Sequence, residues 1–108
     1  MMLVSLDFHA RRDKRVEFLR TAENFVATLR QSQGCLDCRL MADCEVPGSY
    51  TLTSQWEGRD ALRRFLQSDE FRALLGTKIL LREGPQVSID EVLRSSRQNG
   101  SRFREPAW

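Results

Sequence analysis

Two periodicities divide this chain. From Leu3 to Ala10 apolar and polar residues alternate, with Val4, Leu6 and Phe8 on one face and Ser5, Asp7 and His9 on the other. That is the two-residue period of a strand buried on one side. From about Asp13 to Gln33 the period lengthens, and Val16, Leu19, Ala22, Phe25, Val26 and Leu29 fall on one helical stripe. Asp13 suits the N-cap of this helix, and Gly34 suits the left-handed residue that ends it. Alternation returns over Leu36 to Glu45, where Leu36, Cys38, Leu40, Ala42 and Cys44 share a face. It continues over Tyr50 to Trp56, with Tyr50, Leu52, Ser54 and Trp56 aligned. Between these runs Pro47 presets one turn torsion and Gly48 permits a positive one, so the two strands form a hairpin.

After Trp56 the period is helical again over 59–78. Leu62, Phe65 and Leu66 form one short helix, and Phe71, Leu74 and Leu75 a second. Ser68 between them is a good N-cap, and Asp69 and Glu70 set negative charge beside the free amides of the second helix. Gly84-Pro85 breaks the chain, and Gln86 to Val92 gives a last strand with Val87 and Ile89 inward. The order β-α-β-β-α-β predicts an α+β, ferredoxin-like antiparallel sheet with its helices on one face. The other face is mostly polar, apart from Leu3, Met41 and Val92. Residues 1–93 make up the domain. Residues 94–108 lack a period and are polar, as a mobile tail would be, or an arm laid on a partner subunit through Phe103 and Trp108.

With 108 residues there is material for one modest core. Beyond residue 94 lie Arg97, Arg102 and Arg104 against Glu105, so the net charge of +2 belongs to the tail and the body is neutral. A neutral body lacks the basic stripe of a nucleic-acid surface, and no apolar run approaches the roughly 18 residues that span a bilayer. Neither nucleic acid nor membrane is an expected partner. Three cysteines and no export signal lead to the expectation of a cytoplasmic protein with reduced thiols.

Trp56 at a strand end, the Leu62/Leu66 pair of the next helix and Ser68-Asp69-Glu70-Phe71 opening the second helix carry a resemblance. Together they resemble the antibiotic-biosynthesis monooxygenase family, small dimeric α+β barrels that include quinol monooxygenases and haem-degrading enzymes. The likeness runs from the first strand to about Val92. It implies a homodimer formed through the polar sheet face. It also implies a cofactor-independent monooxygenase that oxidises a small aromatic or quinol-type substrate with O2, in a cleft between sheet and helices. No cofactor and no metal are implied. Quinol monooxygenase-like members often carry histidine where this chain has Phe65 and Glu70. Haem-degrading members carry tryptophan at the Phe65 position and an iron-binding histidine at that of Leu75. Their first-strand asparagine has no counterpart among Val4, Leu6 and Phe8, so no haem site is expected.

The candidate catalytic residues are His9 and Trp56. His9 is the one histidine, so any imidazole base must be this residue; a surface or interface histidine is the alternative. The candidate substrate-binding residues are Phe8, Tyr50, Leu52, Phe65 and Leu75, with plain core packing as the alternative. Tyr50, Asn24 and Thr28 are the polar groups placed to reach the cleft, and none is a strong base at neutral pH. Cys35-Leu36-Asp37-Cys38 has redox spacing but follows a helix end, where no helix dipole favours a thiolate. Besides the enzyme, two readings stay open: a non-catalytic dimeric barrel that binds a small apolar ligand, and a protein whose cleft is filled by its own side chains.

Overall fold

β1 (Met2–His9) runs through the middle of a four-stranded antiparallel sheet, flanked by β3 (Ser49–Trp56) and β4 (Gln86–Glu91). β2 (Cys35–Ala42) pairs with the outer side of β3, which gives the order β2-β3-β1-β4. These strands, with α1 (Arg15–Arg30), α2 (Arg59–Leu66) and α3 (Asp69–Gly76), belong to a computed structural model that describes residues 1–108. The fold is α+β and ferredoxin-like, as the periodicity predicts. No helix is long and apolar enough to cross a membrane.

The alternation in β1 and β3 sets the core. Val4, Leu6, Phe8, Leu52 and Trp56 are buried on the helix-covered face, while Ser5, Asp7, Thr51 and Thr53 point the other way, where Thr51 donates to Asp7 at 2.7 Å. α1 packs against β2 and α2 against β3. Along α1 the buried residues are Phe18, Ala22, Val26 and Leu29, a stripe turned slightly from the predicted one. Val16 is 68% exposed. Phe18 takes the inner place because its ring fits between Phe8 and Tyr50, with centroids 5.0 and 5.3 Å away, a separation at which aromatic pairs add to the burial itself.

Three predicted local features come out differently. Asp13 is not the N-cap: it lies in a 3-10 turn, Arg12–Lys14, and α1 begins after it with no side-chain cap. The helix ends at Arg30, and the positive φ of Gly34 (+84°) instead turns the chain into β2. Val87 and Ile89 do register with Leu6 and Val4 on the helix side, yet they are 42% and 45% exposed. β4 is an edge strand, and the helices pack against β2 and β3 on the far side of β1. Gly48 takes its positive φ of +86° in the hairpin turn as predicted. Ser68 caps α3, accepting from the Phe71 N–H at 3.2 Å and donating to the Phe65 carbonyl at 2.5 Å.

Candidate functional site

Trp56 closes β3 opposite Met2 on one side and Cys35 on the other. Its Nε1 donates to the Ser54 hydroxyl at 3.0 Å, and both residues are buried. That bond fixes the indole and removes the penalty, about 1–3 kcal/mol, of burying an unpaired N–H. Phe65 of α2 lies on the indole, centroids 4.7 Å apart and planes 19° from parallel, and Phe71 of α3 meets Phe65 edge-on at 5.2 Å. Two short helices joined at a capped serine can bring both phenylalanines to one point; a single straight helix would carry Phe71 away from the sheet.

This aromatic pair floors a pocket of about 250 Å³, walled by Ser32, Gln33, Ala61, Arg64, Ser68 and Glu70. Gly34 lets the chain approach Ala61 of this wall closely: the Glu57 N–H donates to the Gly34 carbonyl at 2.9 Å, and a Cβ on Gly34 would stand 2.5 Å from that of Ala61. The hydroxyl of Ser68 is engaged by Phe65 and Phe71, and that of Ser32 donates to the Thr28 carbonyl. Arg64 and Glu70 enter no ion pair, whereas Arg59, Asp60, Arg63, Asp69 and Arg72, the other charged residues of α2 and α3, are all paired.

The sequence-derived candidates do not gather in one place. Trp56 and Phe65 meet at the pocket. Phe8, Tyr50 and Leu52 are buried in the packed middle of the core, where Phe18 fills the space between Phe8 and Tyr50. Leu75 is half-buried on α3, and its neighbour Leu74 takes the core position. His9 lies on the opposite sheet face from Trp56. It pairs with Ser49, seven residues along β3 from Trp56, roughly 24 Å at the rise of an antiparallel strand. Its ring nitrogen Nε2 faces the Arg82 guanidinium at 3.5 Å. Asn24 and Thr28 line a separate groove of about 220 Å³ on α1 with Thr21 and Phe25, and the Thr28 hydroxyl donates to the Asn24 carbonyl.

Ser32, Gln33, Arg64 and Glu70 are wall residues that the pattern does not single out as such. Exposed polar positions carry no period, so nothing marks those that border a cavity. Cys38 is fully buried, and burial, then the neighbouring Cys35, pushes its thiol up to about 12. Burial raises Cys35 as well. Neither is poised as a thiolate. No three His, Cys, Asp or Glu side chains gather closely enough to hold a metal ion.

The geometry can be set beside known proteins. No curated protein matches the chain in sequence. Among solved structures, a candidate antibiotic biosynthesis monooxygenase from Deinococcus radiodurans superposes with a TM-score of 0.84 at 19% identity, covering 93% of this chain and all of that one. A protein from Mycobacterium tuberculosis gives 0.77 at 22% identity, over 89% of this chain and 98% of its own. One from Pseudomonas aeruginosa gives 0.70 at 25% identity, over 88% and 94%. At such identities the first two likenesses speak for the fold alone. The sequence itself carries the further step, because the model of the antibiotic biosynthesis monooxygenase family matches residues 1–76, from β1 to the end of α3. On that match, which takes in Trp56, the Ser68 cap and the whole pocket wall, the chain belongs to the antibiotic biosynthesis monooxygenase family.

Proposed function

We propose that this chain is a cofactor-independent monooxygenase that oxidises a small aromatic or quinol-type substrate with O2, acting as a homodimer through the open sheet face. The observation that carries this reading is the meeting of the stacked Trp56–Phe65 floor with the unpaired Glu70 carboxylate in one pocket. A substrate ring laid on that floor shields the aromatic surface from water and brings a phenolic hydroxyl beside Glu70. A carboxylate accepts hydrogen bonds and only accepts, so it orients the O–H and takes its proton as charge leaves the ring. The phenolate passes one electron to O2, and the radical pair combines at a ring carbon to form a C–O bond. Loss of water from the resulting hydroperoxide leaves a carbonyl. One oxygen atom ends in the product and one in water, and the substrate supplies all four electrons. Trp56 and Phe65 hold the ring. His9, on the far face, takes no part.

That position of His9 also favours the second reading, a non-catalytic dimeric barrel that binds a small apolar ligand, since the pocket contains no imidazole. Oxygen uptake separates the two. With a panel of quinols and polyphenols the protein should consume O2 faster than the autoxidation blank, and Glu70→Gln should lower that rate by about 10²-fold or more, the scale of one general base. Uptake no faster than the blank across the panel would leave the binding protein as the correct account.

A further inference from the structure

We infer that the pocket selects a single-ring phenol that carries an anionic substituent, with the anion on Arg64 and the hydroxyl toward Glu70. The inference rests on the reading above that this pocket is the substrate site. Size comes first. A cavity of about 150 Å³ takes benzene, so about 250 Å³ has room for one ring with a few polar substituents. Hydrogen-bonding capacity comes next, and here the wall is decisive. Trp56 Nε1 is engaged by Ser54, the Ser32 hydroxyl by Thr28, and the Ser68 hydroxyl by Phe65 and Phe71.

The wall groups left free are the Arg64 guanidinium, the Gln33 amide and the Glu70 carboxylate. Arg64 and Glu70 are the two charges on α2 and α3 that no protein partner neutralises, and they do not pair with each other. An arginine fork matches a carboxylate with two parallel hydrogen bonds. A carboxylate wall matches a ring hydroxyl, which donates. A hydroxybenzoate presents both to one aromatic floor; a neutral quinol leaves Arg64 without a partner.

The test is anaerobic binding, so that turnover plays no part. Trp108 stands at the exposed end of the chain, and Trp108→Phe leaves Trp56 as the tryptophan that reports. Calorimetry gives the affinity and quenching of Trp56 gives the place. 3,4-Dihydroxybenzoate should quench Trp56 and bind at least about tenfold more tightly than catechol, the worth of one hydrogen bond between charged groups. Arg64→Gln should abolish that preference while catechol binds as before, and added salt should weaken it, because Arg64 is exposed. Equal affinity for the two ligands, a preference that survives Arg64→Gln, or no quenching by either would overturn the inference. Oxygen uptake stays a separate arm. Binding with the expected preference but no uptake removes the oxygenase and keeps the selectivity, whereas uptake with neutral quinols alone does the reverse.

Discussion

Cys38 shows how one buried side chain ties stability to pH. In the unfolded chain its thiol ionises near 9; in the fold burial holds it protonated up to about 12. A group whose folded pKa is raised contributes stability that is complete below the unfolded value and is lost as pH rises toward the folded one. The window is therefore pH 9 to 12, and the loss across it is on the order of a few kcal/mol. The urea midpoint of the wild type should fall more steeply between pH 8 and pH 10.5 than that of Cys38→Ala, which starts lower because it leaves a small cavity. Parallel slopes would show that Cys38 ionises without opening the core. Ser54 makes a contrasting case at the same scale. It is a polar residue at a core position, and only the Trp56 N–H two residues on gives it a purpose there.

At the scale of elements, the join between α1 and β2 decides where α2 can start. Gly34 combines a φ of +84° with a contact to Ala61 in which an added Cβ would come within 2.5 Å. Gly34→Ala should cost about 1–3 kcal/mol from the backbone alone, with the clash in addition. Ala61→Gly in the same chain should relieve the clash and leave the backbone part, a non-additivity that a double-mutant cycle of urea midpoints reads directly. Purely additive losses would place the whole effect in φ. Elements of this kind were legible in the sequence where one rule acted alone. The alternation in β1 and β3, the Ser68 cap and the Pro47-Gly48 turn each follow from local chemistry. Legibility failed where a third body intervened. Val16 gave up the core to Phe18 because two rings from different strands made a slot for it. Val87 and Ile89 have the right parity, but they stay exposed, and α2 meets the edge strand at its end, where Arg59 pairs with Glu91. Of the site, the aromatic floor was readable from strand and helix periods. That His9 faces away from the helices follows from the alternation in β1, whereas its distance from Trp56 follows from counting residues along the β1–β3 hydrogen-bond register, which the two periods leave unspecified.

Across the whole molecule, mass and charge are distributed unevenly. The radius of gyration is 15.4 Å, against about 13 Å for a compact chain of this length. The tail is where the chain packs least. Past Leu93 it is almost wholly exposed, Phe103 and Trp108 included, and it is organised mainly by its own bonds: the Gln98 side chain donates to the Arg104 carbonyl and accepts the Arg104 N–H, each at 2.8 Å. A segment that adds little to the core contributes little to stability. A chain ending at residue 93 should therefore unfold at the same urea midpoint as the full chain to within about 0.5 kcal/mol, the range of changes at exposed positions. Repeating the measurement on dilution separates two roles for the tail. Unfolding of a dimer depends on protein concentration, so an arm that clasps a second subunit through Phe103 and Trp108 gives a deficit in the shortened chain that grows with protein concentration and shrinks toward zero as both proteins are diluted. A deficit near zero at every concentration shows instead that residues 1–93 carry the fold and any dimer contact, and that the tail is dispensable to both.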